Sequence, residues 1–581
     1  MRVIATAGHV DHGKSTLLRA LTGMDPDRWT EEHRRGLTID LGFVWTELDG
    51  QPFAFVDVPG HQRFVANMLA GVGPVPAALF VVAADEGWMP QSEEHLAALD
   101  AFGVRHGLLA VTKSDRAEAK PALRQALERI AHTSLGKVPG VVVSARTGEG
   151  LDELRECLTA LAGRLPDADA GADVRLWVDR SFSVRGAGTV VTGTLGAGAI
   201  RVGDELELAS TGELVGIRGM QSLGGEIETA LPVARVALNL RKVPQERVAR
   251  GDALLTPRRW LSTRVVDVRL RATDSAEPHR EAVLHLGSSA TPVRVRGLGP
   301  DTARLTLSRS LPMRCGDAGL LRDPGEHAVV GVEVLDMRPP GLRRRGDAAA
   351  RADELAAADI AAAHVRRAEF VAENDLRAMG LSDAGVRVAG WIVDGDYWAK
   401  LPERLIAAFD AWARQNPLAS GMPAAVLCER LGLPAGLFKE AVRNTSLQLD
   451  GDGLARRDGE QVSLPRWLAQ AARSIQQGFE QHPFRAPDAG TLAALGVGPR
   501  ELAAAERAGE LVRIADGIVL GPDAVARAAT ELAALEQPFT VSQARQALGS
   551  TRRVMVPLLE RLDADGFTEA LRDGTRRCRD A

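Results

Sequence analysis

Aromatic side chains are scarce in this chain, 4% of 581 residues with a single tyrosine. Readers of single-stranded RNA of the RRM kind stack bases on exposed aromatics, so that mode is not expected. Cysteine is scarcer still. Cys157, Cys315, Cys428 and Cys578 are scattered without a C-x-x-C pair, which argues against a zinc ribbon or a disulfide framework and suits a reducing cytosol. No apolar run approaches the ~20 residues that span a bilayer. The opening MRVIATAGHV has no signal-peptide core, so a soluble, cytoplasmic protein with no membrane partner is expected. Nor is there an excess of one charge. At a net charge of -5, any contact with nucleic acid must use local basic patches.

What is present is enough apolar residue, 45%, for sizeable cores, in a length that suggests about three to six domains. Over 1–165 short apolar runs (Val3–Ala7, Phe53–Asp57, Leu79–Ala83, Leu108–Thr112, Val141–Ser144) alternate with helical stretches. That is the pattern of a parallel sheet with crossover helices, an α/β domain. PDADAGAD at 166–173 reads as a linker. From Val174 to about Pro339, β-branched runs are cut by glycine at short intervals, which predicts two β-barrels, 174–257 and 258–340. Beyond Pro339 the chain turns Ala-, Leu- and Arg-rich with helical spacing and short Gly-centred hairpins. A helix–helix–hairpin unit recurs there, the layout of winged-helix (α+β) modules, with divisions at 350–417, 418–466, 467–530 and 531–581.

The chemistry is concentrated in the first domain. Gly8, His9, Val10, Asp11, His12, Gly13, Lys14, Ser15 and Thr16 form G-x-x-x-x-G-K-S-T between a strand and a helix, the context a phosphate-binding loop requires. Backbone N–H groups and the helix N-terminus suit phosphate, Lys14 reaches the β- and γ-phosphates, and Ser15 suits Mg²⁺. Asp57 and Gly60, in D-V-P-G, end the next strand, where the carboxylate serves Mg²⁺ through water and the glycine N–H serves the γ-phosphate. Thr112, Lys113 and Asp115, in T-K-S-D, end a third. A carboxylate at Asp115 accepts two N–H groups from a guanine edge, and Ser144, Ala145 and Arg146 complete a base pocket. GTP is thus favoured over ATP. Thr38, in R-R-G-L-T-I-D, is the candidate that joins the Mg²⁺ shell when a γ-phosphate is present. His61 takes the slot of the water-orienting glutamine of small GTPases, a catalytic assignment.

GHVDHGKS, RRGLTID and DVPGH together resemble the translational GTPase family. The longer stretches ATAGHVDHGKSTLL, DRWTEEHRRGLTIDLGF and FVDVPGHQRFVANMLAGVG resemble its selenocysteine-specific elongation factors more closely than elongation factor Tu. Thr112, where GTPases generally have Asn, agrees with that narrower likeness. LWVDRSFSVRGAGTVVTGTL and ARVALNLRKV extend it into the second domain. The resemblance implies that Asp179, Arg180 and Arg235 line a selenocysteine pocket. It implies a C-terminal array of four winged helices whose last pair grips an mRNA hairpin. FTVSQARQALGSTRRVMVPLLERLDADGFTEALRDGTRRCRD resembles the final module. There Ser550 is placed to cap the second helix, Pro557 predicts a kink, and Arg552, Arg553, Arg576 and Arg577 are the candidate RNA contacts. The implied partners are selenocysteyl-tRNA, an mRNA insertion hairpin and the ribosome, with the protein a monomer delivering its tRNA at a recoded UGA. Two other readings stay open: a general elongation- or initiation-type GTPase, and a nucleotide-switched DNA-binding regulator.

Overall fold

The apolar runs of the first domain become strands β1 (Arg2–Ala7), β2 (Gly42–Leu48), β3 (Gln51–Asp57), β4 (Ala77–Ala83), β5 (His106–Thr112) and β6 (Gly140–Val142), in the order β2-β3-β1-β4-β5-β6. Only β2 runs antiparallel to its neighbour. Helices α1 (Lys14–Thr22), α2 (Val65–Val72), α3 (Pro90–Ala101), α4 (Lys120–Ala131) and α5 (Leu151–Arg164) cover both faces. That is why β4, AALFVVA, is apolar throughout rather than alternating. Phe80 and Val82 pack with Leu96 and Leu99 on one face, Leu79 and Val81 with Leu17, Leu154 and Leu158 on the other. The order reverses at β1, which lies between β3 and β4, so their carboxyl ends open a crevice of the kind that holds nucleotides.

This computed structural model describes residues 1–26, 38, 40–61, 64–72, 75–186, 188–271, 279–323, 329–356, 359–382, 384–451, 453–457 and 464–579. Residues 34–37 and 39 of the RRGLTID stretch lie outside the described residues, as do the rest of 27–37 and residue 580 of the final module. The chain divides into two units, Met1–Gly385 and Val386–Ala581.

Within the first unit, the stretch after the linker is an antiparallel eight-stranded sheet. Its two end strands, Arg175–Trp177 and Arg180–Val184, are separated by only two residues of chain, so the sheet must curl back on itself. Strand Ala234–Arg241 buries Ala234, Val236, Leu238 and Leu240 in that core. Alternation therefore sends Arg235 to the opposite face. The next six strands, from Leu261–Arg271 to Val329–Asp336, form a closed barrel. Helices α6 (Asp347–Ala356) and α7 (Ile360–Ala368) are tied to it by a buried ion network. Arg351 donates from Nε to Asp267 at 2.7 Å and from Nη2 to Asp336 at 2.5 Å, while Arg304 takes the other oxygen of Asp267 at 2.7 Å. Burial works against the charge on Asp336, but bonds from His364 and the Arg338 N–H, with the guanidinium groups of Arg367 and Arg351, hold its carboxyl below the usual carboxylate range.

The second unit begins with the hairpin Val386–Val388/Trp391–Val393 and helix Gly395–Gln415. Helix, helix and hairpin then recur as Ala424–Leu431, Ala435–Arg443 and Leu447–Leu449/Leu454–Arg457. The next set is Ala489–Ala494, Pro499–Arg507 and Val512–Ala515/Ile518–Leu520, and the last Val541–Ala547, Arg552–Ala564 and Thr568–Ala570/Arg576–Cys578. The last two sets share one core, in which Val554, Leu558, Leu559 and Leu562 are the stripe read from the sequence. Arg552–Ala564 is a single helix with Pro557 inside it. One local expectation fails here. Ser550 is not its cap: Thr551 holds the N-cap position, and the Ser550 hydroxyl donates to the Phe484 carbonyl at 2.5 Å. A tertiary partner has captured a side chain that local pattern assigned to the helix end.

Candidate functional site

The phosphate loop sits between β1 and α1, pressed against β4. Gly8, at φ +132, has no room for a side chain, since a Cβ there would lie 2.1 Å from the Val81 carbonyl oxygen. Its N–H donates to Nδ1 of buried His95 at 3.0 Å, and the Val10 N–H donates to Gln91 Oε1 at 3.0 Å, so α3 braces the loop from behind. Lys14 Nζ donates to the carbonyls of Gly8 and His9 at 3.0 and 2.7 Å. Gly60 closes the far wall, where a Cβ would lie 2.6 Å from Val10 N and 2.7 Å from Lys14 Nζ. Burial, then repulsion from His9, lowers His12 to about 4 and keeps it neutral beneath the loop.

The expected Mg²⁺ ligands converge. Ser15 Oγ donates to Asp57 Oδ2 at 2.6 Å and lies 3.0 Å from Thr38 Oγ1. Asp57, fully buried, also accepts from Thr6 Oγ1 at 2.7 Å, which fixes its carboxylate. Two hydroxyls and one carboxylate beside a phosphate loop are the hard oxygen set that suits Mg²⁺. His61 lies next to this region with its ring 6.0 Å from that of Phe64, but it is not among the residues lining the cleft.

That cleft, about 400 Å³, runs from Lys14, Ser15 and Thr38 to Lys113, Asp115, Ala145 and Arg146. Ser144 donates to Asp115 Oδ1 at 2.7 Å, and this bond is the first cause holding the Asp115 carboxyl below its ordinary value. The group is thus ionised for the two N–H donors of a guanine edge. Thr112 shows why it can stand where asparagine is usual: its hydroxyl donates to the His12 carbonyl at 2.7 Å, tying the base end to the phosphate loop. Arg19 and Arg116 also line the cleft, and neither was singled out from the sequence.

A second cluster lies where the curled sheet meets the first domain. Arg235 grips Asp179 with both amino groups, Nη2 to Oδ1 at 2.7 Å, and its guanidinium lies 3.7 Å from the centre of the Phe43 ring. Arg180 lies 5.1 Å from the same ring. It is held by Asp40, 3.1 Å from Nε, and by the Leu41 carbonyl. Arg250 comes to 4.0 Å from Asp40 and donates to Asn67 at 2.5 Å. Three guanidinium groups therefore share two carboxylates, two of them lying over one aromatic ring, which leaves one formal positive charge. Asp179, Arg180 and Arg235 are brought together; Asp40, Phe43 and Arg250 complete the cluster and were not named from the sequence.

Comparison with known proteins fits this geometry. Residues 1–164 match the family model of the elongation factor Tu GTP binding domain, and residues 530–577 that of the elongation factor SelB winged helix. Elongation factor Tu 2 of Streptomyces avermitilis is 31% identical over 370 residues, covering 56% of this chain and 95% of that protein. The chain belongs to the translational GTPase family. Within it the likeness is to the selenocysteine-specific elongation factors, as the motifs implied. That of Escherichia coli is 39% identical over 353 residues, 59% of this chain. The chain spans about half the length of the curated relatives of that name, 56% in this case. A crystal structure of a bacterial selenocysteine-specific elongation factor, EF-Sec, superposes with a TM-score of 0.77 at 26% identity, over the whole of both chains.

The basic residues at the end of this translational GTPase are not equivalent. Arg552 and Arg577 are exposed. Arg553 is also exposed but donates to the carbonyls of Pro487 and Gly517 at 3.1 and 3.3 Å. Arg576 lies on the wing hairpin, where its Nε donates to Asp563 at 2.9 Å and its side chain is 15% exposed. Hairpin pairing brings Arg576 back over the helix that carries Asp563, and a carboxylate there takes it.

Proposed function

We propose that the protein is a GTP-hydrolysing elongation factor that carries selenocysteyl-tRNA to the ribosomal A site at a recoded UGA. Its C-terminal winged helices read the mRNA hairpin that marks the codon. The observation that carries this reading is the meeting of Arg180 and Arg235 over Phe43, next to the segment that bears Thr38. A cysteine thiol, with a pKa of about 8.5, is mostly neutral at pH 7. A selenol is more acidic and mostly anionic, so a cradle with one surplus positive charge favours it over cysteine and serine. Phosphate loop, Asp115 and Ser144 hold GTP, while Ser15, Thr38 and Asp57 hold Mg²⁺, whose part is to neutralise charge on the β- and γ-phosphates. His61 orients the attacking water. Hydrolysis by the protein alone is slow, with the ribosome supplying an acceleration on the order of 10³–10⁵. The protein works in the cytoplasm, where translation takes place, as a monomer. Among the described residues no helix is long and apolar enough to cross a membrane.

The test is Arg235→Gln. The variant should bind GTP like the parent yet lose its preference for selenocysteyl- over cysteinyl-tRNA on the same tRNA body. A variant that keeps the preference would remove Arg235 from the pocket.

A further inference from the structure

Thr38 and Asp40 are two positions apart, and each belongs to a different site. Thr38 Oγ1 is 3.0 Å from Ser15 Oγ, beside Asp57, at the cation end of the cleft. Asp40 Oδ2 is 2.9 Å from Arg180 Nη2 and 3.1 Å from Arg180 Nε, and the following carbonyl, Leu41 O, accepts from the same guanidinium. The third nitrogen of that group, Nη1, makes no hydrogen bond among the described residues. The carboxylate thus holds one edge of the guanidinium and leaves the other for a ligand. A second tie lies alongside. Arg250 bonds Asn67 on α2 and approaches Asp40, so the curled sheet holds both the segment after Thr38 and the helix after His61.

We propose that Asp40 is the positioning residue through which the nucleotide sets the cargo cradle. With Thr38 seated at the cation site, Asp40 fixes Arg180 beside Phe43 and presents its Nη1 edge. When Thr38 leaves that site the carboxylate goes with it, and Arg180 loses its anchor. An ion pair that only joined two domains would matter equally whichever nucleotide was bound. An anchor carried two residues from Thr38 matters only with the triphosphate, because a contact made in one state alone couples two ligands. This inference rests on the reading of the cradle as a cargo site.

The experiment measures binding of selenocysteyl-tRNA with a non-hydrolysable GTP analogue and with GDP, for the parent, Asp40→Asn and Asp40→Glu. Asp40→Asn should weaken the triphosphate state about tenfold and leave the GDP state within about twofold, with partial recovery in Asp40→Glu. An equal loss in both states, or none in either, overturns the proposal. A second arm uses no tRNA and compares affinity for the GTP analogue in Asp40→Asn, Arg180→Gln and the double variant. A shared contact predicts that the double variant loses less than the sum of the two single losses; additive losses overturn it. This second arm stays decisive even if the parent holds selenocysteyl- and seryl-tRNA alike, the outcome that would retract the cargo reading alone.

Discussion

Arg235 and Asp179 meet edge to edge, Nη2 to Oδ1 at 2.7 Å, while the same guanidinium stacks 3.7 Å from the centre of Phe43 on a strand of the neighbouring domain. The side chains are 11% and 5% exposed, so loss of the carboxylate would strand a nearly buried cation. Asp179→Asn should therefore raise the off-rate of selenocysteyl-tRNA roughly ten- to hundredfold. GTP affinity, measured with a fluorescent analogue, should hardly move. A variant with parental off-rate would show that Asp179 does not orient Arg235.

Acid should weaken the first domain through its buried imidazoles. His95 accepts the Gly8 N–H at Nδ1 and must be unprotonated to do so. Burial, then the charge of Lys14, holds its pKa well below 6.5, and His12 stands at about 4. Both folded values lie below the unfolded one, so the unfolded chain takes up protons first as pH falls. The stabilisation is complete above pH 6.5 and is lost as pH falls from there, for His12 down to about 4, at about 1.4 kcal/mol per pH unit for each histidine. Urea midpoints taken between about pH 7 and pH 5 should record this slope. His95→Gln, which keeps an acceptor for Gly8, should flatten it. A variant with an unchanged slope would contradict the assignment.

The network joining α6 to the closed barrel makes a stability prediction. Arg351 is 4% exposed and satisfies two buried carboxylates, Asp267 and Asp336. Arg351→Met leaves both without that partner and should cost about 3–5 kcal/mol in equilibrium unfolding. A cost below about 1 kcal/mol would mean that the remaining arginines compensate.

In the final module, Arg552, Arg576 and Arg577 should separate by effect. Arg552→Ala and Arg577→Ala should weaken binding of the mRNA hairpin and each lower the salt slope of binding by about 1. Arg576→Ala should instead lower the melting temperature, because Asp563 loses its ion-pair partner and keeps only the Thr568 hydroxyl. Equal effects of all three on RNA binding would contradict the geometry.

How much of this was legible in the sequence follows from the range of each interaction. The phosphate loop, D-V-P-G and T-K-S-D could be placed because each is a strand end followed by its own turn, and strand, turn and helix are set locally. The repeated helix–helix–hairpin sets were legible for the same reason. Asp40 and Phe43 were visible in TIDLGF, but nothing local shows that they meet Arg180 and Arg235, which lie far along the chain in another domain. Ser550 was misread because a local pattern names the residue a helix end would use, while the carbonyl of Phe484 took its hydroxyl instead. His95 carried no motif signal; its role exists only because α3 lies behind the phosphate loop.

Whether the cradle selects selenocysteine is read most simply from the rate at which an aminoacyl ester hydrolyses in the presence of the protein loaded with a GTP analogue. One tRNA is used, carrying either selenocysteine or serine. A cationic cradle for a selenolate predicts strong protection of the selenocysteyl ester and little of the seryl ester. Equal protection of the two, or protection of neither, would contradict it.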